Sequence, residues 1–274
     1  MVWFKKGGKK GLKTTTHSLK EMKSAGKKIT VLTAYDHPTA KLLDELGVDI
    51  ILVGDSVGSV VLGYEDTIPV TMDEMIHHTK AVTRGVKNAM VIVDMPFMSY
   101  QLNPEQALLN ASRFIKECGA NGVKLEGSDY PEAIKNIVDA GIPVMGHLGF
   151  TPQSVNRLGG YRIQGKSQDE AKAMLEGAKT LENAGVFSIV LEMVPAAVAG
   201  KISDALTIPV IGIGAGSHCD GQVLVINDIL GFSVNGIPKF AKKYADLYSE
   251  MKNAVSDYIS DVRTGRFPGS EHSF

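Results

Sequence analysis

Short apolar runs alternate with helical patterns along this chain, and several of the runs end at a polar or charged residue. Continuous Val, Ile and Leu runs of this length are typical of parallel strands that are buried on both faces. Eight strands are predicted, over residues 29–34, 49–54, 89–94, 122–125, 142–146, 186–191, 208–213 and 223–226. Helices between them predict an α/β fold of one domain, a closed (β/α)8 TIM barrel.

Capping residues mark the starts of two of these helices. Thr71 with Glu74 three residues later predicts a capping box, and Asn103 before Pro104 predicts an N-cap followed by a first-turn proline. The last helix is predicted over Phe240–Val262. An open doubly wound sheet is the alternative fold, but the glycine fingerprint that it would place after its first strand is not found after residue 34.

The two ends of the chain differ from the predicted barrel, which we expect over residues 29–262. Residues 1–28 hold nine lysines and one glutamate, whereas the 274-residue chain has a net charge of −1. We interpret this segment as a solvated, partly disordered extension with a short helix over Ser18–Ala25 that covers the bottom of the barrel. An anion-binding arm and a targeting peptide remain alternatives. Residues 263–274 are expected to form a C-terminal tail.

Charge, hydropathy and cysteine content exclude several classes of protein. The near-zero net charge suggests neither a nucleic-acid partner nor a membrane partner. We find no uncharged apolar stretch of about 18 residues that could span a membrane. Two cysteines, Cys118 and Cys219, make no disulfide framework in a chain of this length and are expected to be free thiols in a reducing cytoplasm.

Three carboxylates stand at corresponding ends of successive predicted strands. They are Asp55, Asp94 and Glu126, which follow the second, third and fourth strands. Consecutive strands are neighbours in a barrel, so the three side chains should converge at its carboxyl-terminal face, where barrel enzymes carry their active sites. Oxygen ligands of this kind suit Mg²⁺. Any one of these acids could instead cap a helix or pair with a lysine. The metal site is indicated by the recurrence of an acid at the same position after three successive strands.

Further polar residues are expected at the same face. Lys124 lies two residues before Glu126, so both point into the barrel, and Lys124 could pair with a substrate carboxylate or with the acids themselves. Ser56 offers a hydroxyl group and a backbone N–H. His147 follows the fifth strand and could contact substrate or be structural.

Glu192 and a glycine-rich segment complete the candidate residues. Glu192 follows the sixth strand and precedes apolar residues 193–195, a setting that suits a general base, and a structural carboxylate is the alternative. Gly212–Ser217 follows the seventh strand and could bind phosphate or allow close backbone packing. A carboxylate-bound metal beside a lysine suits an α-keto acid, whose enolate the metal would stabilise before it attacks an electrophile.

At these residues the chain resembles the ketopantoate hydroxymethyltransferase family, also called 3-methyl-2-oxobutanoate hydroxymethyltransferases. The matching blocks span about residues 29–232 and include LTAYDHPTAKLLDELGVDIILVGDS, VDMPFMSY, GANGVKLEG, HLGFTPQ and CDGQVLV. The resemblance implies transfer of a one-carbon unit from 5,10-methylenetetrahydrofolate to 3-methyl-2-oxobutanoate, giving 2-dehydropantoate for pantothenate and coenzyme A synthesis. It also implies a cytoplasmic homo-oligomer, a decamer in this family.

The resemblance assigns roles residue by residue. Asp55 and Asp94 would hold Mg²⁺, with Glu126 completing the site directly or through water. Asp55, Ser56, Asp94 and Lys124 would bind the keto acid, and Glu192 would accept its proton.

Two rival functions stay open at this point. One is a Mg²⁺-dependent lyase or mutase of the phosphoenolpyruvate mutase and isocitrate lyase type. An isocitrate-lyase-like enzyme would carry a cysteine in the loop after the third strand, and residues 97–100 have none. The other rival is a phosphate-binding barrel without catalysis.

Overall fold

Eight parallel strands close into a barrel in sequence order, which confirms the predicted fold class. The computed structural model describes residues 13–160, 162–233 and 236–274, so residues 1–12 of the expected basic extension lie outside the described residues. The strands are β1 (Ile29–Thr33), β2 (Ile50–Val53), β3 (Met90–Asp94), β4 (Gly122–Lys124), β5 (Val144–Gly149), β6 (Ser188–Glu192), β7 (Val210–Ile213) and β8 (Gly221–Leu224).

Helices connect most of the strands. In chain order the helices are α1 (Thr16–Ser24), α2 (His37–Glu45), α3 (Met72–Gly85), α4 (Pro104–Cys118), α5 (Pro131–Asp139), α6 (Val155–Leu158), α7 (Gln168–Asn183), α8 (Ala196–Ala205), α9 (Ile226–Leu230) and α10 (Leu247–Thr264). A π-helical turn (Gly58–Leu62) follows β2, and 3₁₀ turns cover Pro152–Ser154 and Ser270–His272. Within the described ranges, none of the helices combines the length and apolar character that crossing a membrane requires.

The predicted caps form as expected. Thr71 and Glu74 make a reciprocal capping box at the start of α3, and both backbone N–H groups involved are satisfied. Asn103 accepts a hydrogen bond from the N–H of Gln106 at the start of α4. These local bonds explain why the two helix starts could be read from the sequence.

The chain divides into two compact units, one that ends at Leu224 and one that covers Val225–Phe274. The first unit contains the whole barrel and α1. The second contains α9 and α10. The helix expected in the basic extension is present as α1, over Thr16–Ser24.

Apolar side chains fill the lower interior of the barrel. The buried cluster takes residues from seven of the strands and from α1, namely Leu19, Ile29, Val31, Ile50, Leu52, Met90, Ile92, Met145, Val190, Ile211 and Val223. Leu19 is fully buried in this cluster. Helix α1 therefore covers the bottom of the barrel as expected, because its one buried side chain packs against the interior residues of the strands.

Several boundaries differ from the prediction. Strand β5 continues to Gly149, so His147 lies inside a strand and not after it. Strand β8 begins two residues earlier than predicted, and α10 begins seven residues later than residue 240. Residues 214–220, all of them described, connect β7 to β8 without a helix, so the expectation of eight strand–helix pairs is wrong at this connection.

Candidate active site

The inward-facing positions of the strands change from apolar at the bottom to polar at the top. Met90 and Ile92 of β3 are followed on the same face by Asp94, and Val190 of β6 is followed by Glu192. The same alternation places Lys124 of β4 and His147 of β5 beside them. The strand register thus gathers four of the predicted side chains at the carboxyl-terminal end of the barrel.

Lys124 and Asp94 form a buried ion pair at this end. Their strands are paired with Asp94 opposite Lys124, and Lys124 Nζ lies 2.8 Å from Asp94 Oδ1. Burial alone would lower the pKa of Lys124, but the surrounding carboxylates outweigh burial and raise it above its ordinary value. The lysine is therefore a fixed positive charge, and its ammonium also lies 3.3 Å from His147 Nδ1.

Asp55 and Glu126 join the same cluster from the loops after β2 and β4. The backbone N–H of Asp55 donates to Asp94 Oδ2 at 3.0 Å, which brings the ends of β2 and β3 together. Burial raises the pKa of Asp55 well above its ordinary value, and the Asp94 and Glu126 carboxylates raise it further. A carboxylate whose pKa is raised by neighbouring carboxylates is stabilised as the anion by a bound cation.

Each of the three carboxylates has one oxygen anchored by an N–H donor. Asp94 Oδ2 is held by Asp55, Asp55 Oδ2 by the side chain of Gln153 at 2.8 Å, and Glu126 Oε2 by the backbone of Gln153 at 3.0 Å. The other oxygens of two of these carboxylates face cationic or ring nitrogens: Asp94 Oδ1 lies 2.8 Å from Lys124 Nζ, and Glu126 Oε1 lies 3.4 Å from His147 Nδ1. These two oxygens have the chemistry of ligands for a hard cation.

The carboxylates do not yet surround a single point. Across the described ranges, no three or more Asp, Glu, His or Cys side chains already have the arrangement of a metal site. Asp94 Oδ1 faces the Lys124 ammonium instead. A cation bound at Asp94 Oδ1 would therefore compete with the Lys124 ammonium for that oxygen.

His147 links Glu126 to Glu192. Its Nδ1 lies 3.4 Å from Glu126 Oε1 and its Nε2 lies 3.3 Å from Glu192 Oε2. Burial and the Lys124 ammonium lower the pKa of His147, but the two carboxylates outweigh them and raise it to about 9. The histidine is buried, whereas Glu192 keeps a partly exposed side chain at the mouth of the barrel. Glu192 therefore has a polar neighbour that its apolar sequence surroundings did not predict.

Ser56 is held at the mouth by a neighbouring tyrosine. Its Oγ lies 2.8 Å from the hydroxyl of Tyr35, and the backbone carbonyl of Tyr35 accepts a hydrogen bond from His78 Nδ1 at 2.7 Å. A Cβ on Gly54 would lie 2.6 Å from Ser56 Oγ, so a side chain at residue 54 would displace the Ser56 hydroxyl. The loop thus places the Ser56 hydroxyl next to Asp55.

Gln153 was missed at the level of the sequence. It lies in the 3₁₀ turn after β5, is buried, and contacts Asp55 and Glu126. The block HLGFTPQ contains it, but it follows a proline in a predicted loop and has no periodic pattern. Its place in this block was the feature of the sequence that could have identified Gln153 as a candidate site residue.

The glycine-rich segment packs closely and leads into the helix-free connection between β7 and β8. A Cβ on Gly216 would lie 2.5 Å from the Cβ of Ala196, and a Cβ on Gly212 would lie 3.0 Å from Cys219 Sγ. Of the two predicted roles for Gly212–Ser217, these contacts favour close packing over a phosphate site, which would gain from a helix N-terminus.

Comparison with known proteins adds a family assignment. The sequence profile of the family described as ketopantoate hydroxymethyltransferase matches residues 13–270. The chain is 56% identical to the 3-methyl-2-oxobutanoate hydroxymethyltransferase of Syntrophus aciditrophicus, over 97% of this chain and 98% of that protein. It is also 56% identical to the enzyme of that name from Carboxydothermus hydrogenoformans, over 96% and 95% of the two chains.

Solved structures of similar fold are much more distant in sequence. A phosphonopyruvate hydrolase in complex with oxalate and Mg²⁺ superposes with a TM-score of 0.60 at 12% identity, over 94% of this chain and 93% of that one. A 2,3-dimethylmalate lyase of the phosphoenolpyruvate mutase/isocitrate lyase superfamily gives a TM-score of 0.58 at 14% identity, over 93% and 90%. These likenesses show the fold alone, so the rival lyase or mutase function is not favoured.

Proposed function

Because the chain belongs to the ketopantoate hydroxymethyltransferase family, we propose that it transfers a hydroxymethyl group from 5,10-methylenetetrahydrofolate to 3-methyl-2-oxobutanoate. The product is 2-dehydropantoate, which leads to pantothenate and coenzyme A. The observation that carries this proposal is the high identity, over nearly the whole chain, to relatives named for this reaction. The polar layer at the top of the barrel contains residue types that the chemistry needs.

We propose that Asp55, Asp94 and Glu126 bind Mg²⁺, with Glu126 acting directly or through water. Support comes from the convergence of three buried carboxylates, each of which has one oxygen anchored by an N–H donor. When bound, the cation polarises the keto carbonyl and stabilises the enolate. The ligand set of hard oxygens suits Mg²⁺ better than a softer metal.

Lys124 and Ser56 orient the keto acid in this proposal. Lys124 is positively charged in its buried position and, once Asp94 binds the cation, its ammonium can pair with the substrate carboxylate. The Ser56 hydroxyl, held by Tyr35, is available to donate to a substrate oxygen. His147 lies beside Lys124 and completes the wall of this pocket.

Glu192 removes the proton from C3 of the keto acid. One of its oxygens faces His147 Nε2, which leaves the other to take the proton. The electron pair of the broken C3–H bond forms the enolate. Water cleaves the two C–N bonds to the methylene carbon, which releases tetrahydrofolate and leaves that carbon as formaldehyde. C3 of the enolate then bonds to this carbon, and the formaldehyde oxygen takes a proton to become the hydroxyl group of the product. His147 orients Glu192 through this contact of 3.3 Å.

We also propose that the protein acts as a homo-oligomer, with the decamer of the family as the expected size. Within the second unit, α10 supports this proposal because one stripe of its surface is apolar and exposed. The stripe consists of Leu247, Tyr248, Met251, Val255, Tyr258, Ile259 and Val262. Sedimentation velocity on the full chain tests it, and a monomer at micromolar concentration would contradict it.

The cytoplasm is the proposed site of the reaction. Cys118 and Cys219 are both buried free cysteines, as expected for a protein kept in a reducing compartment.

Incubation with 3-methyl-2-oxobutanoate, 5,10-methylenetetrahydrofolate and Mg²⁺ tests the proposed activity. We expect 2-dehydropantoate from the wild type and none after removal of the metal with EDTA. Absence of the product at saturating substrates and Mg²⁺ would reject the proposal. The Glu192→Gln variant should bind metal and keto acid but exchange the C3 proton with deuterated water far more slowly, by about 10²–10⁴-fold for loss of a general base.

A further inference from the structure

Gln153 occupies the centre of the acid cluster, although no role was expected for it. It lies in the turn Pro152–Ser154, which follows β5, and only 5% of the residue is exposed. A buried amide requires partners for its two N–H donors and its carbonyl oxygen. Those partners identify what the residue does.

Both donors of the Gln153 amide are used. Its Nε2 donates to Asp55 Oδ2 at 2.8 Å and to the backbone carbonyl of Met95 at 2.9 Å. The backbone N–H of the same residue donates to Glu126 Oε2 at 3.0 Å. One residue therefore holds two of the three carboxylates of the proposed metal site, and these carboxylates come from different strand ends.

Tyr100 fixes the orientation of this amide. The Tyr100 hydroxyl accepts a hydrogen bond from the backbone N–H of Glu126 at 3.2 Å and donates its own hydrogen to Gln153 Oε1 at 2.8 Å. A flipped amide would turn its oxygen towards the Asp55 carboxylate and the Met95 carbonyl, both of which are acceptors. The Gln153 side chain consequently has one stable orientation.

We propose that Gln153 is a positioning residue for the metal site, acting through Asp55 and Glu126 with Tyr100 behind it. It holds one oxygen of each carboxylate and so directs the other oxygen to the cation, as hydrogen-bonding partners of metal ligands do in other sites. Because the Gln153 amide is neutral, it positions these carboxylates without changing the net charge of the cluster. This inference rests on the proposed function, since it requires the cluster to bind a divalent cation.

Titration with Mn²⁺, followed by the EPR signal of the free ion, tests the inference on purified full-length protein without substrates. Gln153→Met removes the amide and keeps the length of the side chain. We expect it to raise the Kd for Mn²⁺ about 10–100-fold. Tyr100→Phe should raise the Kd by less, because the Tyr100 hydroxyl bonds to Gln153 Oε1 and to the Glu126 N–H but not to a carboxylate oxygen of the cluster. Gln153→Asn, which is too short to reach Asp55, should reproduce the loss if Gln153→Met does not fold.

Two controls separate the possible results. Gln106→Met makes the same chemical change on helix α4 and should leave the Kd unchanged, because no hydrogen bond or ion pair joins Gln106 to the acid cluster in the described structure. Asp94→Asn removes a proposed ligand and should abolish measurable binding.

The results distinguish the inference from the function on which it rests. If Asp94→Asn loses the metal while Gln153→Met binds Mn²⁺ like the wild type, the role of Gln153 is rejected and the metal site stands. If Gln153→Met lowers only the melting temperature in EDTA, its role is structural and the inference is also rejected. If Asp94→Asn binds like the wild type, the proposed metal site itself is wrong.

Discussion

Replacing Lys124 by methionine tests the electrostatic balance of the acid cluster. Lys124 Nζ lies 2.8 Å from Asp94 Oδ1, and both side chains are about 95% buried. Methionine keeps much of the length and apolar volume of the lysine stem but removes its charge. The substitution therefore leaves Asp94 beside Asp55 and Glu126 without the ammonium that offsets them.

The expected cost follows from this burial. Removing one partner of a buried ion pair destabilises a protein by about 3–5 kcal/mol, since the remaining charge stays desolvated. In a chain of this size each kcal/mol lowers the melting temperature by roughly 2–4 °C, so we expect a decrease of about 6–20 °C. The pKa of Asp55 is already raised, and proton uptake by the cluster would place the result in the lower part of this range.

Thermal unfolding in EDTA and in excess Mg²⁺ measures the effect. In EDTA the variant should show the full loss, whereas in Mg²⁺ the difference from the wild type should shrink because the cation replaces the missing positive charge. Lys135→Met is a matched control, because Lys135 pairs with Asp139 on the exposed surface of α5, and it should change stability by no more than about 0.5 kcal/mol. A loss below about 1 kcal/mol for Lys124→Met, or the same loss with and without Mg²⁺, would refute the reasoning.

Two further predictions concern the bottom of the barrel. The Asp44 carboxylate accepts hydrogen bonds from the backbone N–H groups of residues 87–89, just before β3. Burial raises the pKa of Asp44, but these hydrogen bonds outweigh burial and lower it. Asp44→Asn should therefore lower the free energy of unfolding by about 1–3 kcal/mol, measured in urea at pH 7. A lowered pKa stabilises the fold above the unfolded-state pKa, so the cost should diminish as the pH falls below about 4, and a cost independent of pH would contradict this. Leu19→Ala should destabilise by about 2–5 kcal/mol, because Leu19 is fully buried in the barrel interior, and a change under 1 kcal/mol would show that α1 does not seal the barrel.

The barrel could be predicted because its information is local. Each apolar run is long enough to be a buried strand, and the helix starts at Thr71 and Asn103 carry their own caps. Alternation along β4 was sufficient to place Lys124 inside the barrel, and the structure confirms it through the contact with Asp94.

The errors in the strand boundaries have long-range causes. Strand β5 extends to Gly149 because β6 pairs with it as far as Glu192, which the sequence of β5 alone does not encode. Strand β8 starts at Gly221, where a Cβ would lie 2.4 Å from the carbonyl oxygen of Ile29, and its exposed Gln222 interrupts the apolar pattern.

The detailed geometry of the site could not be predicted from the sequence either. Gln153 contacts Asp55 across 98 positions of the chain, and His147 joins carboxylates from two different strand ends. Such contacts exist only after the barrel closes, so the sequence could place the candidate acids at one face but not show which oxygens are anchored and which are left for a ligand.

Anomalous diffraction from a crystal grown with saturating Mn²⁺ and 3-methyl-2-oxobutanoate tests the central claim most directly. We predict one anomalous peak at the carboxyl-terminal end of the barrel, bonded to oxygens of Asp55 and Asp94 and to Glu126 directly or through water, with the keto acid on the same ion. A crystal without a peak at these carboxylates, or with the ion bound elsewhere, would contradict the account.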